Sequence, residues 1–297
     1  MRTYIDCVPC FVRQALAAAR LVSSDEAAHE RVLRRVLDAG SRIGFEHSPP
    51  YIGRQIHRII REETGSSDPY ADIKRHSTEA ALELLGATRA RVETASDPFD
   101  AAVRFAIAGN VMDFALAATW DGTKIGEALD GALSKELAAS DVGELEEAAG
   151  TAATILYIGD NAGEIVLDRL LLERLPEGRV KFAVRGSPVI NDAVREDAEA
   201  SGIGQVAEVV DTGSDAPGVI LDDCSGEFSE LFSLADVVIA KGQGNYESLC
   251  DCGREVFFLT QVKCDVIARD TGAPVGGWMC LCRAGHGGLS SQRAAGE

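Results

Sequence analysis

Thr154-Ile155-Leu156-Tyr157-Ile158-Gly159-Asp160-Asn161-Ala162-Gly163-Glu164 is the stretch whose reading decides the fold. Its first five residues, apolar or β-branched, suit a strand buried on both faces. The glycines and polar residues that follow lead into a helical run over residues 164–174. Four further short runs rich in Val, Ile or Phe lie downstream, at residues 180–184, 206–210, 237–240 and 256–260, with helical segments such as 191–200 between them. This alternation predicts an α/β fold with a mainly parallel, doubly wound sheet.

Upstream of Gly150 the period changes. Leu, Val and Ala recur at spacings of three and four over residues 10–21, 26–43 and 51–63, as in amphipathic helices. Another helix starts after Asp68-Pro69-Tyr70. Asp97-Pro98 reads as an N-cap followed by proline at the first helical position, with helix continuing to Ala108 and, after Gly109-Asn110, over 111–118. Residues 121–149 are acidic and Ala-rich and are expected to be helical too. The expected organisation is a helical region over 1–149 that contributes to the cleft, an α/β domain over 150–282 carrying the site, and a disordered Gly/Ala/Ser-rich tail over 283–297.

Composition narrows the partners. The 297 residues carry 29 Lys and Arg against 47 Asp and Glu, a net charge of −18, which argues against a general nucleic-acid binder. No run of about 18 uncharged apolar residues appears, and Met1-Arg2-Thr3-Tyr4-Ile5-Asp6 lacks a secretory apolar segment. A cytoplasmic protein without a membrane span is expected, its partner a small anion rather than a polyanion.

The strand ends carry the chemistry. Asp160 and Asn161 fall where a parallel strand gives way to its helix, at the edge that faces the binding crevice in such sheets. Their oxygens suit a hard divalent ion. The alternative is that they cap the helix, with Glu164 completing a capping pattern. Asp192, in Arg185-Gly186-Ser187-Pro188-Val189-Ile190-Asn191-Asp192, is expected to open a helix and either complete a metal shell or serve as a first-turn acid. Lys241-Gly242-Gln243-Gly244-Asn245 follows another strand, where backbone N–H groups and a cation suit a phosphate. Lysine is scarce: Lys241 and Lys263 are two of six, and both close successive strands.

Six motifs in order carry a resemblance: Asp6-Cys7-Val8-Pro9-Cys10, Ala108-Gly109-Asn110-Val111-Met112-Asp113-Phe114, the Gly159–Glu164 turn, Ile190-Asn191-Asp192, Lys241-Gly242-Gln243-Gly244-Asn245-Tyr246-Glu247, and Val262-Lys263-Cys264. Together they resemble the DUF89 family, also called the ARMT1-like or damage-control phosphatase family, in its prokaryotic branch with an N-terminal Cys pair. The resemblance runs from about Tyr4 to Ala268. It implies a helical region packed on a three-layer α/β/α domain, and a phosphatase that uses a divalent ion such as Mn, Mg, Co or Ni on small phosphorylated metabolites. It places the metal on Asp160, Asn161 and Asp192. It places the phosphate near Lys263, Lys241 and the turn Gly242, Gln243, Gly244 and Asn245, with Asn110 and Glu164 in the same cleft. Asp160, Asp113 and Lys263 become the catalytic candidates, either Asp160 or Asp113 taking a proton from water. The eukaryotic Arg-Thr-x-Lys signature is only partly matched, by Thr260-Gln261-Val262-Lys263.

Other readings remain open at this level. Cys7-Val8-Pro9-Cys10 has metal or redox spacing, and with Cys250, Cys252, Cys280 and Cys282 it raises a zinc or redox interaction protein. Buried or loosely exposed reduced thiols are the plainer account. The five histidines lack ligand spacing and are expected at the surface. A cofactor-binding α/β protein such as a methyltransferase would need a Gly-rich turn after the first strand and an acid after the second, where Arg185 stands.

Overall fold

The computed structural model describes residues 1–111 and 122–284. Helices α1 (Val8–Val22), α2 (Glu26–Gly40) and α3 (Pro49–Thr64) come first. Their apolar stripes close on one another around Phe11, Ala15, Val32, Val36, Ile52, Ile56 and Ile60. Helices α4 (Ala71–Glu93) and α5 (Pro98–Ala108) follow. The α5 start matches its sequence signal: Asp97 Oδ1 accepts from the N–H groups of Phe99 and Asp100 at 3.1 and 2.9 Å, and Pro98 opens the helix. Helix α6 spans Gly122–Gly131.

The remainder alternates strand and helix: β1 (Leu137–Ser140), α7 (Val142–Thr151), β2 (Ile155–Ile158), α8 (Glu164–Leu172), β3 (Val180–Val184), α9 (Arg195–Ala200), β4 (Glu208–Asp211), α10 (Gly226–Leu234), β5 (Val237–Lys241), α11 (Gly242–Leu249), β6 (Glu255–Gln261), α12 (Asp265–Thr271) and β7 (Trp278–Ala284). The sheet order is β1-β7-β6-β5-β2-β3-β4. All neighbours are parallel except β6 and β7. From β2 the chain winds outward through β3 and β4, then returns to β5 and β6 on the other side. The switch point therefore lies between β2 and β5, whose ends are held in register by Ile158 opposite Ala240.

Strand periodicity assigns the two faces. Ile155, Tyr157, Val237, Ile239, Phe257 and Leu259 point into a core shared with α4, α5, α7 and α8. Leu156, Ile158, Val238, Ala240, Val256 and Phe258 point into a second core under α10, α11 and α12. Both faces are covered, which makes the three-layer α/β/α arrangement. Helices α4 and α5 share the first of these cores with the sheet, whereas α1 to α3 keep their own.

Four sequence expectations change. Residues 137–140, expected to be helical, form edge strand β1 on β7, because ladder pairing overrides the helix propensity of an Ala-rich run. Strand β7 carries no Val/Ile signal, and it forms through seven antiparallel pairs with β6. Of the tail, Arg283 and Ala284 end β7; the rest, like the helix expected over 111–118 beyond Val111, lies outside the described residues. The fourth change, at residues 191–194, belongs to the site. Among the described residues no helix is long and apolar enough to cross a membrane.

Helix α8 packs under α4 at Gly163, where an added Cβ would lie 2.7 Å from Ser77 Cβ and 2.9 Å from its carbonyl carbon. Gly163→Ala should therefore cost about 1–3 kcal/mol of stability in urea denaturation. A midpoint unchanged from wild type would contradict this packing.

Candidate active site

Asp160 and Asn161 follow β2 at the switch point, 7% and 5% exposed. They do not cap α8, whose N-cap residue is Gly163 with no side-chain cap. The Asn161 amide donates to Asp160 Oδ2 at 3.1 Å and to Glu164 Oε2 at 2.9 Å. Asp192 does not open a helix as expected, since α9 starts at Arg195. Residues 185–194 instead fold back onto the β2 turn. Ala162 N–H donates to Asn191 O, Ala193 N–H to Asp160 O, and Asn161 pairs with Asp192 as an isolated antiparallel bridge. The reversal rests on Ile190, held at φ 47°, a left-handed conformation costly for a β-branched residue. The fold-back brings Asp192 beside Asp160.

Charge at this point is unbalanced. Four carboxylates around the turn are buried, Asp160, Glu164, Asp168 and Asp192, against two buried cations, Lys241 and Arg185. Burial, and then the charges of Asp192 and Glu164, hold the Asp160 carboxyl well above its usual range, while Lys263 and Arg185 pull it down. Closely placed oxygen donors with surplus negative charge fit a hard divalent cation, and the set would be Asp160, Asn161 and Asp192.

Lys241 departs from expectation. Instead of facing a phosphate, its ammonium is fully buried and donates to Glu164 Oε1 and Asp168 Oδ1, each at 2.6 Å, and to Ala106 O at 2.8 Å. Those three acceptors use all three of its N–H groups. Burial opposes its charge, but Asp168 and Glu164 outweigh burial and raise it above the ordinary lysine range. Glu164 likewise turns inward: its oxygens take the Asn110 amide at 2.7 and 2.8 Å as well as Lys241 and Asn161. Asn110 and Glu164 thus join the helical region to the sheet beneath the site, where a substrate-facing role had been expected.

The turn after β5 is the first turn of α11 rather than a loop. Gly242, at φ 78°, is required there, because an added Cβ would lie 1.8 Å from Asp160 Oδ2. Gly244 lies against Pro217 O, which an added Cβ would approach to 2.2 Å. Asn245, expected to meet the phosphate, is buried and clamps backbone. Its amide donates to Lys241 O and Gly159 O, and its Oδ1 accepts from Val219 N–H and Arg185 Nη1. Gln243 Oε1 accepts from the N–H of Lys263 at 3.0 Å, fixing the segment between β6 and α12 beside the N-terminus of α11. Lys263 lies within electrostatic reach of Asp160. Asp113 falls outside the described residues.

Comparison with known proteins places the chain in a family. The model of the damage-control phosphatase ARMT1-like domain matches residues 3–278. The chain belongs to this family. A damage-control phosphatase of Pyrococcus horikoshii is 32% identical, over 95% of this chain and 98% of that protein. One of Archaeoglobus fulgidus is 32% identical, over 91% and 95%. An uncharacterized protein of Methanocaldococcus jannaschii is 33% identical, over 94% of each. The crystal structure of a DUF89 family protein from Pyrococcus horikoshii superposes with a TM-score of 0.87 at 30% identity, covering 95% of this chain and 99% of that one. As a member of this family the chain is a phosphatase.

Two site residues escaped the sequence reading. Asp168 lies one helical turn after Glu164, so both carboxylates share a face of α8, with only apolar residues between them. Arg185 follows an apolar strand end and is 1% exposed. It occupies the place where a cofactor-binding protein would need an acid. Cys7 is half-buried and Cys10 exposed. Burial raises the Cys7 thiol, with smaller contributions from Glu247 and Cys264, neither of which belongs to the later Cys pairs. Among the described residues no three His, Cys, Asp or Glu side chains are placed to hold a metal, so a four-thiolate zinc site is not assembled. His57, expected at the surface, is buried, and burial lowers it to about 3.

Lys241→Met leaves two carboxylates in the interior without their cation, and should destabilise the protein by about 3–5 kcal/mol in urea denaturation. A loss below about 1 kcal/mol would show that the cluster does not hold the fold. Burial raises Asp168 to about 6 from 3.8, against the pull of Lys241. The native state then keeps this proton where the unfolded chain has lost it, so this group's contribution to stability falls as pH rises from about 4 to about 6. In Asp168→Asn that slope should disappear from stability measured across the window.

Proposed function

We propose that the chain is a divalent-metal-dependent phosphomonoester hydrolase acting on small phosphorylated metabolites, either sugar phosphates or damaged phospho-metabolites. The observation that carries this reading is the Asn161–Asp192 bridge, which gathers Asp160, Asn161 and Asp192 at the switch point, against the N-terminus of α11. The N-terminus of that helix favours a phosphoryl oxygen. Lys263 adds positive charge within electrostatic reach of Asp160. Two of the relatives are named damage-control phosphatases, which supports the substrate class.

The ion held by Asp160, Asn161 and Asp192 would supply Lewis-acid polarisation of the phosphoryl group and of a water. The protein's own part is to position and to carry charge and protons. Lys263 and the α11 N-terminus bind the phosphoryl oxygens, and Gly242 lets that helix approach Asp160. Asp160 takes the proton of the attacking water, with Asp113 the second candidate. A cavity of about 470 Å³ opens beyond Arg185 at the ends of β3 and β4, lined by Lys74, Ser187, Asp197 and Asp211 among others. Its size suits the remainder of a small metabolite and its lining suits hydroxyl groups.

The test is a panel of sugar phosphates, nucleotides and phosphorylated cofactors, each with Mn, Mg, Co or Ni. Activity should appear with at least one ion and vanish on chelation. Asp160→Ala and Asp192→Ala should each lower it by more than about 100-fold, beyond the loss expected for an outer-shell residue, with the circular dichroism of the native fold unchanged. Wild-type rates in either variant would remove the metal assignment.

A further inference from the structure

We propose that Arg185 is the positioning residue that sets the separation and orientation of Asp160 and Asp192. The proposal rests on the reading that these two carboxylates hold the cation. Arg185 sits between them. Its Nε donates to Asp192 Oδ2 at 2.7 Å, and Nη1 donates to Asn245 Oδ1 at 3.1 Å. Nη2 lies 3.6 Å from Asp160 Oδ1 and has no hydrogen-bond acceptor among the described residues. Its backbone N–H also closes the fold-back, donating to Ala193 O.

One planar group therefore braces three elements: the turn after β2, the 185–194 loop and the start of α11. Two nitrogens bond different acceptors and the third faces Asp160, a fixed fork that lysine cannot reproduce even with the charge kept. The buried Nη2 N–H without an acceptor is costly to maintain, by about 1–3 kcal/mol. A residue selected for stability would bond both carboxylates. Here the contact with Asp160 stays open, which leaves that carboxylate its lone pairs for a cation and leaves the guanidinium to steer it by charge. Groups that orient metal ligands in this way change metal affinity by about 10–100-fold when altered.

Binding of Mn²⁺ by the metal-free full-length protein, followed by electron paramagnetic resonance of the free ion, separates the possibilities. Arg185→Lys and Arg185→Gln should weaken Mn²⁺ binding by about 10–100-fold. In Arg185→Lys the phosphatase rate should recover to within a few-fold of wild type once Mn²⁺ is saturating, a split that general destabilisation would not produce. Should Arg185→Gln not fold, Arg185→Lys carries the test, together with its reduced Mn²⁺-induced rise in melting temperature. Asp192→Asn is the control for the underlying assignment. If it loses Mn²⁺ while Arg185→Lys binds as wild type does, the role of Arg185 is overturned and the ligand assignment stands. If Asp192→Asn binds Mn²⁺ normally, the ligand assignment falls and the role of Arg185 with it.

Discussion

The buried ammonium of Lys241 is the interaction on which the rest of the structure depends. It ends the central strand β5, and its three hydrogen bonds reach α8 twice, through Glu164 and Asp168, and α5 once, at Ala106 O. A charge with no access to water must be matched where it lies, and here the matching groups come from distant parts of the chain. The helical region is therefore fastened to the sheet by a polar lock as well as by the apolar core that α4 and α5 share with it. Asn110 extends the lock, donating to both Glu164 oxygens from the end of the helical region.

Above this lock the switch point concentrates unusual backbone. Gly242 takes a left-handed conformation against Asp160, and Ile190 takes one with a side chain that resists it. Both bring chain segments closer than ordinary strand ends would come. The consequence is chemical: Asp160, Asn161 and Asp192 share a small volume, with surplus negative charge that only partial neutralisation by Arg185 and Lys263 relieves. Strain and unfavourable charge are concentrated at one place, in a fold otherwise built from regular elements, as in sites where function is set against stability.

Much of this was legible in the chain. The short continuous apolar runs marked five of the strands, and Asp97-Pro98 marked the start of α5 to the residue. The glycine and polar residues after β2 and β5 pointed to the edge where the structure gathers Asp160, Asn161 and Asp192. Strands β1 and β7 were not legible: β1 is an Ala-rich run whose partner β7 lies far along the chain, and β7 lacks the Val/Ile run that marks the other strands. Asp192 stands out as a residue type, but its setting does not: a β-bridge to Asn161 leaves no local trace in the sequence. His57 looks like any surface histidine until α3 is placed against Tyr70.

The sequence by itself determined which residue types stand at the strand ends, and that is enough to name an α/β sheet with oxygen donors and lysines along one edge. Tertiary structure decided which way each of them faces. Lys241 and Lys263 carry the same charge in similar strand-end positions, yet one is sealed between two carboxylates while the other lies beside the cleft. The physical reason is that a charge's role follows from its solvation and partners. For Lys241 those partners are Glu164 and Asp168, more than seventy residues away, and only folding brings them within 2.6 Å.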